Sequence, residues 1–300
     1  MNKKKCFGML SSTVMGVLIT FTVATNTHAA VKSYVINDAD KIISFSSDNT
    51  NKNDTIVTFR DAILDNVVRN AINKPTGTLY KSDVDKITKL DYDGGDSHTK
   101  TISDINGIEN LTNLQHLQLY DTQIKDIGPL KGLINLQSLD LDTNEISDIS
   151  PLKGLTNLQS LDLDTNEISN ISPLQELTNL QSLDLATNKI SDISPLKGLT
   201  NLQSIDLAAN KISDISSLKG LTSLQLLDLA TNKISDISPL QELTNLQLLE
   251  LDTNGINDIR PLKRLTNLHL LDLAANKVSA GDNQSLKNVL PNCNINYTSY

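Results

Sequence analysis

The sequence predicts an α/β solenoid: one coil of 22 residues repeated along an axis, with a short strand on one wall and 3₁₀ or irregular backbone on the other. Three observations predict it. Segments such as LDLDTNEISDISPLKGL at 139–155 and LDLDTNEISNISPLQEL at 161–177 recur at fixed spacing. Leucine and isoleucine hold the same places in every copy. An asparagine follows the strand position in seven of the eight copies.

The chain opens with a targeting segment, residues 1–29. Lys3, Lys4 and Lys5 precede an apolar run from Phe7 to about Ala24, and Thr27-His28-Ala29 supplies a small-x-small signal, so cleavage is expected after Ala29. Ser11, Ser12, Thr13, Gly16 and Thr20 make the run a poor permanent span. No second apolar run of membrane length occurs, and the mature chain is expected not to insert. Residues 30–55 are polar and rich in serine and asparagine, which predicts a loose, partly disordered leader. Residues 56–86 form a helical cap, in which VTFRDAILDNVVRNAI places Phe59, Ile63, Val67 and Ile72 near one face.

The repeats fill 87–282. Ile87, Leu90 and Tyr92 enter an irregular first coil, an insertion at 94–101 interrupts it, and Ile102, Ile105 and Ile108 resume it. Eight units then begin at Leu111, Leu133, Leu155, Leu177, Leu199, Leu221, Leu243 and Leu265. That period lies in the leucine-rich repeat range. Leu139 and Leu141 alternate with Ser138, Asp140 and Asp142, a strand with one wet face. Ser150 before Pro151 reads as a cap to a short turn. Asn144, Asn166, Asn188, Asn210, Asn232, Asn254 and Asn276 form a ladder of buried amides, expected to satisfy backbone groups of their own and the next turn. Thr122 fills that slot in the first unit. Residues 283–300 close the stack with Leu286, Val289, Leu290 and Cys293. One cysteine in the mature chain excludes an internal disulfide, and Cys293 is expected to pack as a small side chain.

The stretch from about Thr55 to Asn292 resembles the internalin family of Gram-positive surface and secreted proteins. At the front the likeness rests on Phe59, Asp61, Leu64, Val68 and Ile72, then on DVDKITKL and ISDINGIENLTNL. In the repeats it rests on N-x-I-x-D-I-x-P-L, as in Asn188, Ile190, Asp192, Ile193, Pro195 and Leu196. The resemblance implies a curved right-handed leucine-rich repeat superhelix whose strand-lined concave face docks another protein, often a host receptor. No wall-sorting signal follows NINYTSY, so the expected place is the medium, with loose wall association as the alternative.

Three columns of strand side chains are expected on that face. The middle one reads Gln118, Asp140, Asp162, Asp184, Asp206, Asp228, Glu250 and Asp272, carboxylates about 4.8 Å apart. A second reads Tyr120, Asp142, Asp164, Ala186, Ala208, Ala230, Asp252 and Ala274, flanked by Gln123, Glu145, Glu167, Lys189, Lys211, Lys233, Gly255 and Lys277. Repeats two and three thereby gather an acidic patch. A third reads His116, Ser138, Ser160, Ser182, Ser204, Leu226, Leu248 and Leu270, so three leucines take the wet face at one end. These leucines, the acidic row, and His116 with Tyr120 are the candidate contact residues.

The formal charge of −9 falls to −12 when the three signal lysines are removed, which excludes a nucleic-acid binder. Calcium could meet the acidic patch, but it needs six to eight converging oxygens, and a flat sheet offers them poorly. No metal site or cofactor is therefore assigned. Paired carboxylates such as Asp140 and Asp162 invite glycoside hydrolysis, yet a row read as standing in water, without a cleft, gives their pKa values no reason to separate. The serines lack a neighbouring histidine base. The sequence predicts a non-enzyme: a secreted module binding a host or bacterial surface protein, or alternatively a wall or matrix spacer built from near-identical coils.

Overall fold

The computed structural model describes residues 54–95 and 101–297 in full, and the backbone of 17–25, 28–37 and 41–45. The chain divides into two compact units, Met1–Thr55 and Ile56–Tyr300. In the first, β1 (Val17–Thr25), β2 (His28–Asn37) and β3 (Lys41–Phe45) form an antiparallel sheet in chain order. The sequence predicts a loose leader over 30–55, whereas β2 and β3 occupy part of it. Val31, Val35, Ile36, Ile42 and Ile43 supply β-branched residues that favour extended backbone. The rest of the expected signal segment and leader, 1–16, 26–27, 38–40 and 46–53, lies outside the described residues.

The second unit opens with the cap. Asp61 starts α1 (Ala62–Ala71), its Oδ1 accepting from the N–H groups of Ile63 at 2.8 Å and Leu64 at 3.1 Å. The fully buried face carries Leu64 and Val68, while Ile63, Val67 and Ile72 are only partly buried against the core. The stripe is thus turned by one residue from the predicted one, because both pairs share helical spacing. β4 (Ile56–Val57) pairs antiparallel with β5 (Leu79–Tyr80), which runs into α2 (Lys81–Val84). These elements are too short to leave a periodic signal.

The stack itself is one parallel sheet of ten strands in chain order. Its members are β6 (Lys89–Asp93), β7 (His116–Tyr120), β8 (Ser138–Asp140), β9 (Ser160–Asp162) and β10 (Ser182–Asp184), then β11 (Ser204–Asp206), β12 (Leu226–Asp228), β13 (Leu248–Glu250), β14 (Leu270–Asp272) and β15 (Asn294–Asn296). The register sets Leu117 beside Leu139, Leu139 beside Leu161 and Leu161 beside Leu183. In the second unit Leu133, Leu136, Leu139, Leu141, Ile146, Ile149 and Leu152 are each at most 1% exposed. A single coil cannot dry these side chains; its neighbours do. The fold is a curved leucine-rich repeat solenoid with 3₁₀ turns on the convex side.

The convex turn shows how two residues set local structure. Where the repeat reads P-L-K-G, as at Ser150–Leu152 and Ser194–Leu196, the 3₁₀ turn has three residues and the glycine that follows lies at positive φ, +89° at Gly154. Where Q-E or K-R replaces K-G, the turn runs on to five residues, Ser172–Glu176, Ser238–Glu242 and Arg260–Arg264. The predicted Ser150 cap is corrected. Ser150 lies inside the turn, and its N–H donates to Asp148 Oδ1 at 2.8 Å. Asp192, Asp214 and Asp236 do the same for the serines two residues on.

The ladder asparagines are buried or nearly so. Asn188 Nδ2 donates to the carbonyls of Leu163 (2.9 Å), Leu185 (3.2 Å) and Ala186 (2.8 Å), and its Oδ1 accepts from Ile168 N–H at 2.9 Å. Leu163 and Ile168 belong to the preceding coil, so each amide clamps its own turn to the one before, not to the next. The residue ahead of each asparagine takes left-handed backbone, Thr187 at φ 49° and Thr165 at 48°. A β-branched residue rarely adopts that conformation, and the amide's four bonds hold it there.

Candidate functional site

The wet face of the sheet carries the carboxylate column and the column from His116 to Leu270 in register, while the column that starts at Tyr120 follows the strands and includes the buried Ala186 and Ala230. Ser204 aligns with Leu226, Leu226 with Leu248 and Leu248 with Leu270. Leu226 is 42% exposed and Leu270 36%, with Leu248 between them half-buried. A strand places alternate side chains on opposite faces, so these leucines share a surface with the carboxylates while Leu227, Leu249 and Leu271 fill the core. His116 is exposed and Tyr120 half-buried at the opposite end of β7, four residues apart on one strand.

The carboxylate column is aligned strand by strand, Asp140 with Asp162, Asp162 with Asp184, Asp184 with Asp206, Asp206 with Asp228, then Glu250 and Asp272. Each aspartate has a local duty. At the strand end, the N–H two residues on turns away from the ladder and donates to the carboxylate. Asp164 N–H reaches Asp162 Oδ1 at 3.1 Å, Ala186 reaches Asp184 at 3.0 Å and Ala230 reaches Asp228 at 2.8 Å. At the ends of the column, Gln118 Nε2 donates to Asp140 at 3.2 Å and Asn296 Nδ2 to Asp272 at 2.7 Å.

A row standing in water is not what the structure shows. Asp162, Asp184 and Asp228 are half-buried, and burial first, then the neighbouring carboxylates, pushes them up from the usual 3.8. Asp184 rises to about 7, Asp162 and Asp228 to about 6, and Asp142, Asp206 and Glu250 rise as well. The acidic patch is also smaller than predicted. Lys125 lies 2.9 Å from Glu145 and Lys189 3.3 Å from Glu167, which leaves Asp140, Asp142, Asp162 and Asp164 as its unneutralised part. Among the described residues no three His, Cys, Asp or Glu side chains converge as metal ligands. A row is not a cage.

Three features escaped the sequence. β6 extends the sheet, so Lys89, Asp91 and Asp93 join the columns beside His116, Gln118 and Tyr120. β15 closes it with Asn294 and Asn296. A second amide ladder lies at the foot of the strands, where Asn157 donates to Ile134 O, Asn179 to Thr156 O, Asn201 to Thr178 O and Asn245 to Thr222 O. The fixed asparagine of L-T-N-L was its signal. Ser223 breaks this second ladder, and a shallow hollow of about 590 Å³ lined by Gln203, Ser223, Gln225, Asn245, Gln247, Asn267 and His269 opens there, next to the three leucines. Ser223→Asn is expected to restore the missing donor to Thr200 O and stabilise the chain by about 0.5–1 kcal/mol. Calorimetry would register that as a melting rise of roughly 1–4 °C.

The family described as leucine-rich repeats (2 copies) matches residues 112–154, 134–176, 156–198, 178–220 and 200–242. Among curated proteins no match was found. Among solved structures, an internalin C2 from Listeria monocytogenes is 33% identical, with 80% of this chain and 94% of that chain covered and a TM-score of 0.64. A leucine-rich repeat protein from Leptospira interrogans is 25% identical over 65% of this chain and 57% of its own, with a TM-score of 0.55. The functional domain of InlJ from Listeria monocytogenes shares the fold at 24% identity and a TM-score of 0.59, over 79% of this chain and 54% of that one. The fold they share is the leucine-rich repeat solenoid, and the match to internalin C2 places this chain in that family. Among the described residues no helix is long and apolar enough to cross a membrane.

Proposed function

Because the chain belongs to the internalin-like family of leucine-rich repeat proteins, we propose that it is a secreted module whose concave sheet face holds a protein from a host or bacterial surface. The observation that carries this is the aligned trio Leu226, Leu248 and Leu270 on the wet face. The exposed part of these leucines contributes nothing to the core, and covering it with a partner would be worth roughly 1–2 kcal/mol each. The acidic row beside them supplies orientation and partner selection. The segment 1–29 directs export.

Replacing the three leucines together by serine is expected to leave folding intact and to abolish capture of the partner from surface extracts. Ile134→Ser, which alters a 59% exposed residue four repeats away from Leu226, should leave capture unchanged. Equal capture by the leucine variant and the parent chain removes this face from the account. The uniform serine column from Ser138 to Ser204 favours a second reading, a wall or matrix spacer. Fractionation separates the two: a spacer stays with washed cells, a free module enters the medium.

A further inference from the structure

Resting on the concave-face reading, we propose that the occupant is a cationic amphipathic α-helix laid along the solenoid axis. Its basic row lies over Asp162, Asp184 and Asp206, and its apolar flank reaches Leu226, Leu248 and Leu270.

The first argument is charge. Asp162, Asp184 and Asp206 each use Oδ1 to accept a backbone N–H and make no further hydrogen bond among the described residues, so Oδ2 faces an external donor. No lysine or arginine among the described residues stands within ion-pair distance of them. The column ends are different, because Gln118 and Asn296 already donate to Asp140 and Asp272. The open middle therefore asks for a row of guanidinium or ammonium groups. A second copy of this chain, at a formal charge of −9, would bring acid to acid.

The second argument is pitch. Neighbouring strands lie about 4.8 Å apart, and an α-helix offers one residue per turn at about 5.4 Å. Long basic side chains absorb that difference over several turns. An extended segment presents same-face residues about 6.7 Å apart and falls out of step at once. From Asp162 to Asp272 the column crosses five strand intervals, about 24 Å, which a helix of roughly 18 residues spans. The third argument is asymmetry. The leucines flank only the later coils, so they fix the direction in which such a helix lies.

The probe is a labelled synthetic peptide of about 18 residues with arginine once per turn on one stripe and leucine on the adjoining stripe. Two isomers accompany it: one with the arginines scrambled around the helix, one with a central proline that breaks it. Fluorescence anisotropy with the full chain is expected to show the amphipathic peptide binding about tenfold or more tightly than either isomer. The triple variant Asp162→Asn, Asp184→Asn, Asp206→Asn keeps each Oδ1 acceptor and should lose about tenfold in affinity while melting no lower. The leucine-to-serine variant should lose the preference over the scrambled isomer. Equal binding of all three peptides reduces the effect to charge and overturns the proposal, as does failure of the amphipathic peptide to bind. If the peptide fails but the leucine variant still loses capture of a surface protein, the helix falls and the concave-face reading stands. If capture survives the leucine variant, that reading falls too.

Discussion

Asn188→Ala is expected to lower the unfolding free energy by roughly 3–5 kcal/mol, read from urea denaturation. The side chain is 8% exposed and makes four bonds at 2.8–3.2 Å, three as donor and one as acceptor. Truncation orphans the N–H of Ile168 and takes one of two donors from the carbonyls of Leu163, Leu185 and Ala186, which keep Asn166, Asn210 and the Thr165 N–H. The orphaned N–H costs about 1–3 kcal/mol, and each lost bond to a carbonyl about 0.5 kcal/mol more. One amide shared among three carbonyls makes weaker bonds than three separate donors, so the sum is discounted. Thr187 adds to the loss, because its left-handed backbone is no longer held. Asn188→Asp is the sharper test. It keeps the acceptor for Ile168 but turns an oxygen toward three carbonyls, and should cost at least as much as alanine. Asn170 provides the contrast: exposed on the convex side, it accepts one N–H, from Ser172, and its alanine variant should cost about 1 kcal/mol. An Asn188→Asp no worse than Asn170→Ala would show the ladder to be decoration. Because each coil touches only its neighbours, a break at Asn188 should also lower the cooperativity of unfolding.

The repeat was legible because its physics is one-dimensional. A period of 22 fixes which coil sits beside which, and alternation of Leu139 and Leu141 with Ser138, Asp140 and Asp142 fixes which face is wet. The same logic placed Leu226, Leu248 and Leu270 outside. It ran out where an outcome depends on distance between atoms. Nothing in the letter D at 162 or 184 says that the carboxyl tucks back onto the N–H two residues on. That tuck half-buries it, and half-burial moves its proton affinity. Whether Asn188 reaches forward or back along the axis depends on the handedness of the coil, which a string of letters does not carry. Cap elements of two to four residues, such as β4, β5 and α2, are set by contacts with the first coil and not by any pattern of their own.

Raising pH from about 5 to about 8 is expected to destabilise the solenoid, lowering its melting temperature by roughly 5 °C. Asp184 at about 7 and Asp162 and Asp228 at about 6 all lie above the 3.8 they take in an unfolded chain. Within that window the folded state holds protons that the unfolded state has released. The stability this confers is complete below about pH 4 and is lost as pH rises through 6 and 7. Neighbours in one row titrate as a set, so the loss should spread over several pH units. Asp192, Asp214 and Asp258 act in the opposite sense. Hydrogen bonds from the residue two positions on hold them below 3.8, so their contribution is present above that value and is lost only in acid. The stability maximum should therefore fall near pH 4–5. Asp184→Asn isolates the effect, since the amide keeps Oδ1 for Ala186 N–H and removes the charge. It should gain about 2 kcal/mol at pH 8, after allowance for solvent screening, less than half as much at pH 5 and almost nothing below about pH 4. Asp192→Asn should instead lose stability at pH 8. Were Asp184→Asn destabilising at both pH values, its carboxylate would be serving the fold in charged form. The expected opposite means that the row carries its charge at the expense of the free chain's stability, a cost that cations brought by a partner would remove.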